Sequence, residues 1–215
     1  MHSMIRILKK IMGISIIKTI IFNFKAFGSF KWRFLIGRHT KIESWPRKNQ
    51  IDIIERKRVF FGVGKGSFGG GYNNYFRIGN KAHLVFTGNA YFSRGIKLIC
   101  DGEMVFGKGF SCNYDCLLNC RNSIMLGDDL LLGWRISILD GDGHSVNNKA
   151  PFGEISIGNH VWICSETVIL KNVHIQDNSV VSCGSVVKKL VAEQNNVLIE
   201  GNPAKIICGN IGWRK

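Results

Sequence analysis

His144 is the side chain in this sequence best suited to moving a proton. It lies in LDGDGHSVNNKAPFGE (139–154), a stretch rich in Gly, Asp and Asn. A neutral imidazole titrates close to neutral pH, so it can take a proton from an attacking group and hand it on to a leaving group. Asp140 and Asp142 flank it. Either carboxylate could accept a ring N–H and fix the tautomer, although aspartates in such loops often only cap turns. A metal is the competing chemistry. His144, His160 and His174 are spaced by 16 and 14, and Cys112, Cys116 and Cys120 form a run with the look of ligands.

The elements that must hold these residues follow from a sixfold spacing. Ile157, Ile163, Ile169, Ile175, Val181 and Val187 fall six apart, and Val161, Thr167, Val173, Ser179 and Ser185 each follow by four. A 3.6-residue period would scatter these aliphatics around a helix, and one long period-2 strand would exceed the strands of globular domains. Short flat strands joined by tight corners satisfy the spacing. The spacing therefore predicts an all-β solenoid, in which each turn buries its apolar face against the turns above and below. A 20-residue period precedes it. LVFTGNAYFSRGIKLICDGE (84–103), MVFGKGFSCNYDCLLNCRNS (104–123) and IMLGDDLLLGWRISILDGDG (124–143) align without gaps. Phe86, Phe106 and Leu126 form one column, Phe92, Cys112 and Leu132 a second, and Leu98, Leu118 and Ile138 a third. Tyr72 and Ile78 are expected to extend the last two columns by one turn. This frame turns Cys112 and Cys116 inward as core thiols and sends Cys120 elsewhere. Between Ile138 and Ile157 the spacing breaks, and loops thrown out by a rigid scaffold are where function concentrates.

The chain divides into 1–41, a basic amphipathic extension; 42–71, an irregular first coil or cap; 72–190, the solenoid with its loop at 139–154; and 191–215, a C-terminal tail. Residues 1–41 carry nine Lys or Arg and no acid, with apolar residues at roughly helical spacing. Lysines interrupt every apolar run, which disfavours a spanning helix and a secretory signal. A helix packed on the domain or a neighbouring subunit is one reading. A helix lying on an anionic inner leaflet is the other, and the two are compatible. The formal charge of +14 implies an anionic partner, but no nucleic-acid motif accompanies it. Seven cysteines without a close CxxC pair suit reduced thiols in the cytoplasm.

The hexads, VWIC at 161–164, GSVV at 184–187 and GNPAK at 201–205 resemble the hexapeptide-repeat acyltransferases. Within them the likeness is to the nodulation, galactoside and maltose O-acetyltransferases and the O-acetyltransferases of surface polysaccharides. The resemblance implies a left-handed parallel β-helix, a homotrimer and acetyl-CoA as acyl donor. It implies His144 as general base with Asp142 in support, Asn113 and Asp115 as acceptor-binding residues, and Trp162 lining the site. Ser165, Cys183, Lys188, Lys189 and Lys205, with Trp162, would hold the cofactor between subunits. Cys164, Gln176 and the Ser182–Cys183 pair stand where that family has smaller corners. The gamma-class carbonic anhydrases share the fold and bind zinc through three histidines, but no histidine pair here is five apart, so no metal is expected. The implied reaction is O-acetylation of a hydroxyl on a sugar or lipid-linked glycan during biosynthesis of a bacterial surface polysaccharide (capsule, O-antigen or exopolysaccharide). An N-acetyltransferase for a nucleotide-linked amino sugar and a noncatalytic scaffold are the alternatives.

Overall fold

The computed structural model describes residues 13–64, 73–145, 147–148, 150–189 and 193–214. Its strands form three parallel sheets of nine, seven and six strands, and the chain visits them in rotation. One coil therefore contributes one strand to each sheet, and the coils stack as a three-sided prism, the left-handed parallel β-helix. Three long edges separate the sheets. The first runs from the nine-stranded to the seven-stranded sheet, the second from the seven- to the six-stranded sheet, and the third closes the coil.

The columns expected from the sequence are Cα partners. Phe86, Phe106, Leu126 and Ile157 stack in register, as do Phe92, Cys112, Leu132 and Ile163. Leu98, Leu118, Ile138 and Ile169 make the third column. All twelve point inward and are buried. The aromatic members also touch, with Phe86 and Phe106 stacked at 4.8 Å and Phe106 edge-on to Phe110 at 5.0 Å.

Several expectations are corrected. The ladder begins well before Tyr72, because Phe34–Ile36, Thr40–Ile42 and Ile51–Ile53 already form a first coil. The partner of Phe92 is Phe61, and that of Leu98 is Phe76. Ile78 pairs with Cys100, and Tyr72 lies outside the described residues. The stretch of sequence between the strands Val59–Phe61 and Asn74–Ile78 is longer than at the later corners of the first edge, which breaks the 20-residue period. The ladder also runs past 190, since Leu198–Gly201 adds to the nine-stranded sheet and Ala204–Cys208 folds back on it antiparallel. Cys120 points inward with Cys100, Cys112 and Cys116. Its strand, Leu117–Cys120, alternates, so two inward positions two residues apart lie in one strand. Burial pushes the Cys112 thiol up, and the hydrogen bond with Cys100 and burial push up that of Cys120. Neither is a nucleophile or a ready ligand.

The N-terminal extension is helical from Ile16 to Phe27, capped by Ser15 and by Gly28 in the left-handed region. The described part of the extension has no helix long and apolar enough to cross a membrane. The inner face of the helix closes the end of the prism. Phe22 packs tilted against Phe34 and edge-on to Phe76, and two fully buried polar side chains meet the edge strand. Asn23 donates to the Phe34 carbonyl at 2.7 Å and accepts from the Arg33 and Phe34 amides at 2.9 and 3.0 Å. Thr19 accepts from the Ile36 amide at 3.1 Å. These bonds satisfy strand groups that would otherwise stay unpaired and buried. The outer face presents Ile17 (72% exposed), Ile21, Phe24 and Phe30 among Lys25 and Lys31.

Asn23→Ala would strand these backbone groups and cost about 3 kcal/mol. Phe24→Ala on the outer face would change stability by less than about 0.5 kcal/mol. Chemical denaturation of both variants checks the contrast, and equal losses would remove the capping role of Asn23.

Candidate active site

The interrupted stretch leaves the second edge. Its neck is a short antiparallel pairing, in which Gly141 bridges Phe152, the Asp142 amide donates to the Pro151 carbonyl at 2.9 Å and the Gly153 amide to the Asp140 carbonyl at 2.8 Å. The fully buried carboxylate of Asp140 accepts from the amides of Arg121 and Asn122, both at 2.7 Å, one coil earlier. Asp140 therefore ties the neck to the scaffold. His144 lies beyond the neck, exposed to solvent.

Asp142, expected to support His144, is paired with Lys171. Its carboxylate is 2.6 Å from the ammonium of Lys171, which also donates to the Ala150 carbonyl at 2.7 Å. The Lys171 side chain is only 17% exposed. Opposite charge at hydrogen-bond distance makes this a strong contact. Lys171 thus clamps both arms of the loop from the following coil. No signal in the sequence pairs it with Asp142, because 29 residues separate them and only the stacking of coils brings them together.

The remaining candidates sit elsewhere on the prism. Asn113 and Asp115 are partly buried at the first edge. Asp115 adopts φ +58°, and its carboxyl is raised by burial, an effect opposed by nearby Arg135 and Lys97. Ser165 lies on the same edge and accepts from the Trp134 amide at 3.1 Å. Its carbonyl accepts from the Gly184 amide at 3.0 Å, so exposed Cys183 lies one coil further along. Nothing lies within 4 Å of the space a Cβ would occupy on Gly184, which leaves the edge open there. Burial and then the neighbouring Cys183 push the Cys164 thiol up to about 11, so it stays protonated at neutral pH.

Trp162 is on the outward face of the nine-stranded sheet, 37% exposed, 5.9 Å from Trp213 of the C-terminal tail. Trp213 stacks on His160 at 4.2 Å, and its indole N–H donates to the His160 carbonyl at 2.9 Å. Trp134, 41% exposed at the first edge between Asp115 and Ser165, is an aromatic surface that the repeat reading passed over. Its signal was a large side chain at a corner where the preceding coils carry Arg94 and Tyr114. Lys188 and Lys189 are exposed at the second edge, and Lys205 on the terminal hairpin. Among the described residues no three His, Cys, Asp or Glu side chains are grouped to hold a metal ion.

One chain therefore brings Asn113, Asp115, Ser165 and Cys183 to the first edge, with Trp162 on the sheet leading to it. It puts His144, Asp142, Lys188 and Lys189 on the second edge. The width of the seven-stranded sheet separates the two groups.

The fold is a left-handed parallel β-helix, and the sequence is similar to those of acetyltransferases. The chain is 33% identical over 123 residues to galactoside O-acetyltransferase of Escherichia coli, covering 54% of this chain and 56% of that protein. It is 31% identical over 146 residues to an uncharacterized 24.8 kDa protein in the cps region of Klebsiella pneumoniae, covering 66% of this chain and 65% of the relative. The chain thus spans little more than half the length of the first relative and just under two thirds of the second. In fold it is similar to the polySia-specific acetyltransferase NeuO, with a TM-score of 0.57 at 16% identity, covering 82% of this chain and 79% of that one. No family model matches the sequence.

Lys171→Met would release the loop. Amide hydrogen exchange across 141–152 would then accelerate while the strands on either side keep their protection. Unchanged exchange in the loop would show that the neck alone holds it.

Proposed function

We propose that this protein is an acetyl-CoA-dependent O-acetyltransferase that acylates a sugar hydroxyl during assembly of a bacterial surface polysaccharide. It would work in the cytoplasm as a homotrimer, with the outer face of its helix against a neighbouring subunit or an anionic membrane face. The separation of His144 from Asn113, Ser165 and Cys183 onto different edges carries this reading. A second copy, related by a closed rotation, can present its first edge to the His144 loop and complete the site. The name of the E. coli relative supports the activity, and the setting of the Klebsiella relative supports the pathway class.

The chemistry follows from the groups available. A sugar hydroxyl attacks a thioester carbonyl weakly until its proton is removed. His144 takes that proton as the oxygen attacks, and the tetrahedral intermediate collapses with cleavage of the carbon–sulfur bond. The imidazolium returns the proton to the departing thiolate, so the products are the acetyl ester and free coenzyme A. Small side chains and backbone amides along Ser165–Cys183 leave room for the pantetheine arm. Lys188, Lys189 and Lys205 supply point charges for the phosphates. Trp162 and Trp134 offer faces on which a sugar ring can rest.

Thiol release from acetyl-CoA, with hydroxyl sugars and amino sugars as acceptors, tests the reading. His144→Ala is expected to lower turnover by about 10²–10⁴-fold. Unchanged turnover in the variant removes His144 as the base. Transfer to amino sugars alone makes the enzyme an N-acetyltransferase.

A further inference from the structure

The first edge carries a second feature near its N-terminal end. A cleft of about 590 Å³ is lined by Lys18, Arg38, His39, Lys41, Tyr75 and Lys97 together with Thr40, Asn73 and Asn74. A smaller hollow of about 120 Å³ beside it shares Arg38 and His39 and adds Arg94. No carboxylate is among the described residues lining either space. Two acids lie beside lining residues. Glu43 pairs with Lys41 at 3.3 Å and is held below its usual range by hydrogen bonds from Tyr75 and Lys41. Asp115 lies near Lys97 and Arg135.

The walls are pre-set. Lys18 donates to the Thr40 carbonyl at 2.7 Å and the Arg38 carbonyl at 3.2 Å, which fixes its ammonium at the rim. Buried Asn74 holds the His39–Thr40 backbone through bonds to the His39 carbonyl and the Thr40 hydroxyl. Glu43 and Asp115 offset part of the charge of Lys41 and Lys97, but gathering more cations than carboxylates around a concavity costs stability by mutual repulsion, and an anionic ligand relieves it. The cleft is also in line with the candidate acceptor residues. Lys97 opens the strand one coil before Leu117, and Arg94 accepts the Asp115 amide at 3.0 Å. At about 4.8 Å per coil, His39 lies roughly 14 Å along the edge from Asn113.

We propose that this cleft is an acceptor subsite for a carboxylate or phosphate on an acidic glycan, held while a hydroxyl further along the same glycan is acetylated near Asn113. The subsite deepens the proposed acetyl transfer and rests on it. A bilayer is the less favoured occupant. The cleft is concave and continuous with the edge bearing Asn113, whereas the apolar residues suited to lipid, Ile17, Phe24 and Phe30, belong to the outer face at the end of the prism.

Calorimetric titration of the full chain at low salt tests the subsite without requiring turnover. The probes are trigalacturonate for a carboxylate, galactose 1-phosphate for a phosphate, and neutral galactotriose. At least one acidic probe is expected to bind at least about tenfold more tightly than galactotriose. Arg38→Gln and Lys97→Gln should each weaken that binding by about tenfold, the loss of one charge-assisted contact. Lys97→Arg should retain most of it, and Lys81→Gln, on another edge, should leave it unchanged. Equal binding of neutral and acidic probes, failure of both acidic probes to bind, or no effect of Arg38→Gln and Lys97→Gln would overturn the subsite. So would variants that lose binding to phosphatidylglycerol vesicles yet keep the acidic probe, which would assign the cleft to a membrane. Retained acidic binding with no thiol release on any acceptor would instead sink the transferase reading and leave the anion subsite standing.

Discussion

Parallel stacking of coils is the constraint on which everything else in this molecule depends. Each strand hydrogen-bonds to its counterpart one coil away, so a corner residue has its neighbours fixed by the ladder and not by nearby sequence. The amides of Asp115, Arg135, Glu166 and Gly184 each donate to a carbonyl in the preceding coil, and these four occupy one line. Asp115, Arg135 and Glu166 all adopt positive φ without being glycine, with φ +58°, +54° and +62°. The corner geometry is imposed by the stack, at a local cost the ladder repays. A residue's position along the sequence thereby becomes a position along an edge, and chemistry can be laid out on a straight line.

That geometry explains what could be read in the sequence. From Met104 to Ile138 the coils keep a constant length of 20 residues, and from Ile155 to Val187 one of 18, so buried side chains recur at fixed intervals and the fold is legible. The first coils were not. A three-residue corner at Gly37–His39 is followed by a much longer stretch of sequence between Phe61 and Asn74, and Phe61 and Phe76 hold the column positions expected for Tyr72 and Ile78. Cys120 was misjudged because a sixfold frame admits one inward residue per strand, whereas Leu118 and Cys120 both face the core. The loop bearing His144 was visible as a break in rhythm. Its clamp was not, since Lys171 meets Asp142 only across coils. The cationic cleft was hidden for the same reason: Lys18, Arg38, Lys41 and Lys97 converge from a helix and three separate strands or corners.

Rigidity and openness are divided between the two edges. The second edge projects a loop whose neck is anchored by Asp140 and whose arms are held by Lys171, so the imidazole is carried on a supported arm. The first edge stays flat and open near Gly184, with Trp134 exposed along it. Supported side chains on one surface and a channel on another suit a site completed by assembly, because neither surface has to deform to meet the other. The capping helix serves the same economy at the end of the prism, where Asn23 and Thr19 satisfy an edge strand and leave an apolar outer face.

The central claim is that a working site takes its imidazole from one copy and its open edge from the next. Co-expressing His144→Ala with Cys183→Trp, each inactive alone, tests it most directly. In mixed trimers some junctions pair an intact loop with an intact edge, so acetyl transfer should return. Trimers that form normally yet stay as inactive as either parent would contradict the account.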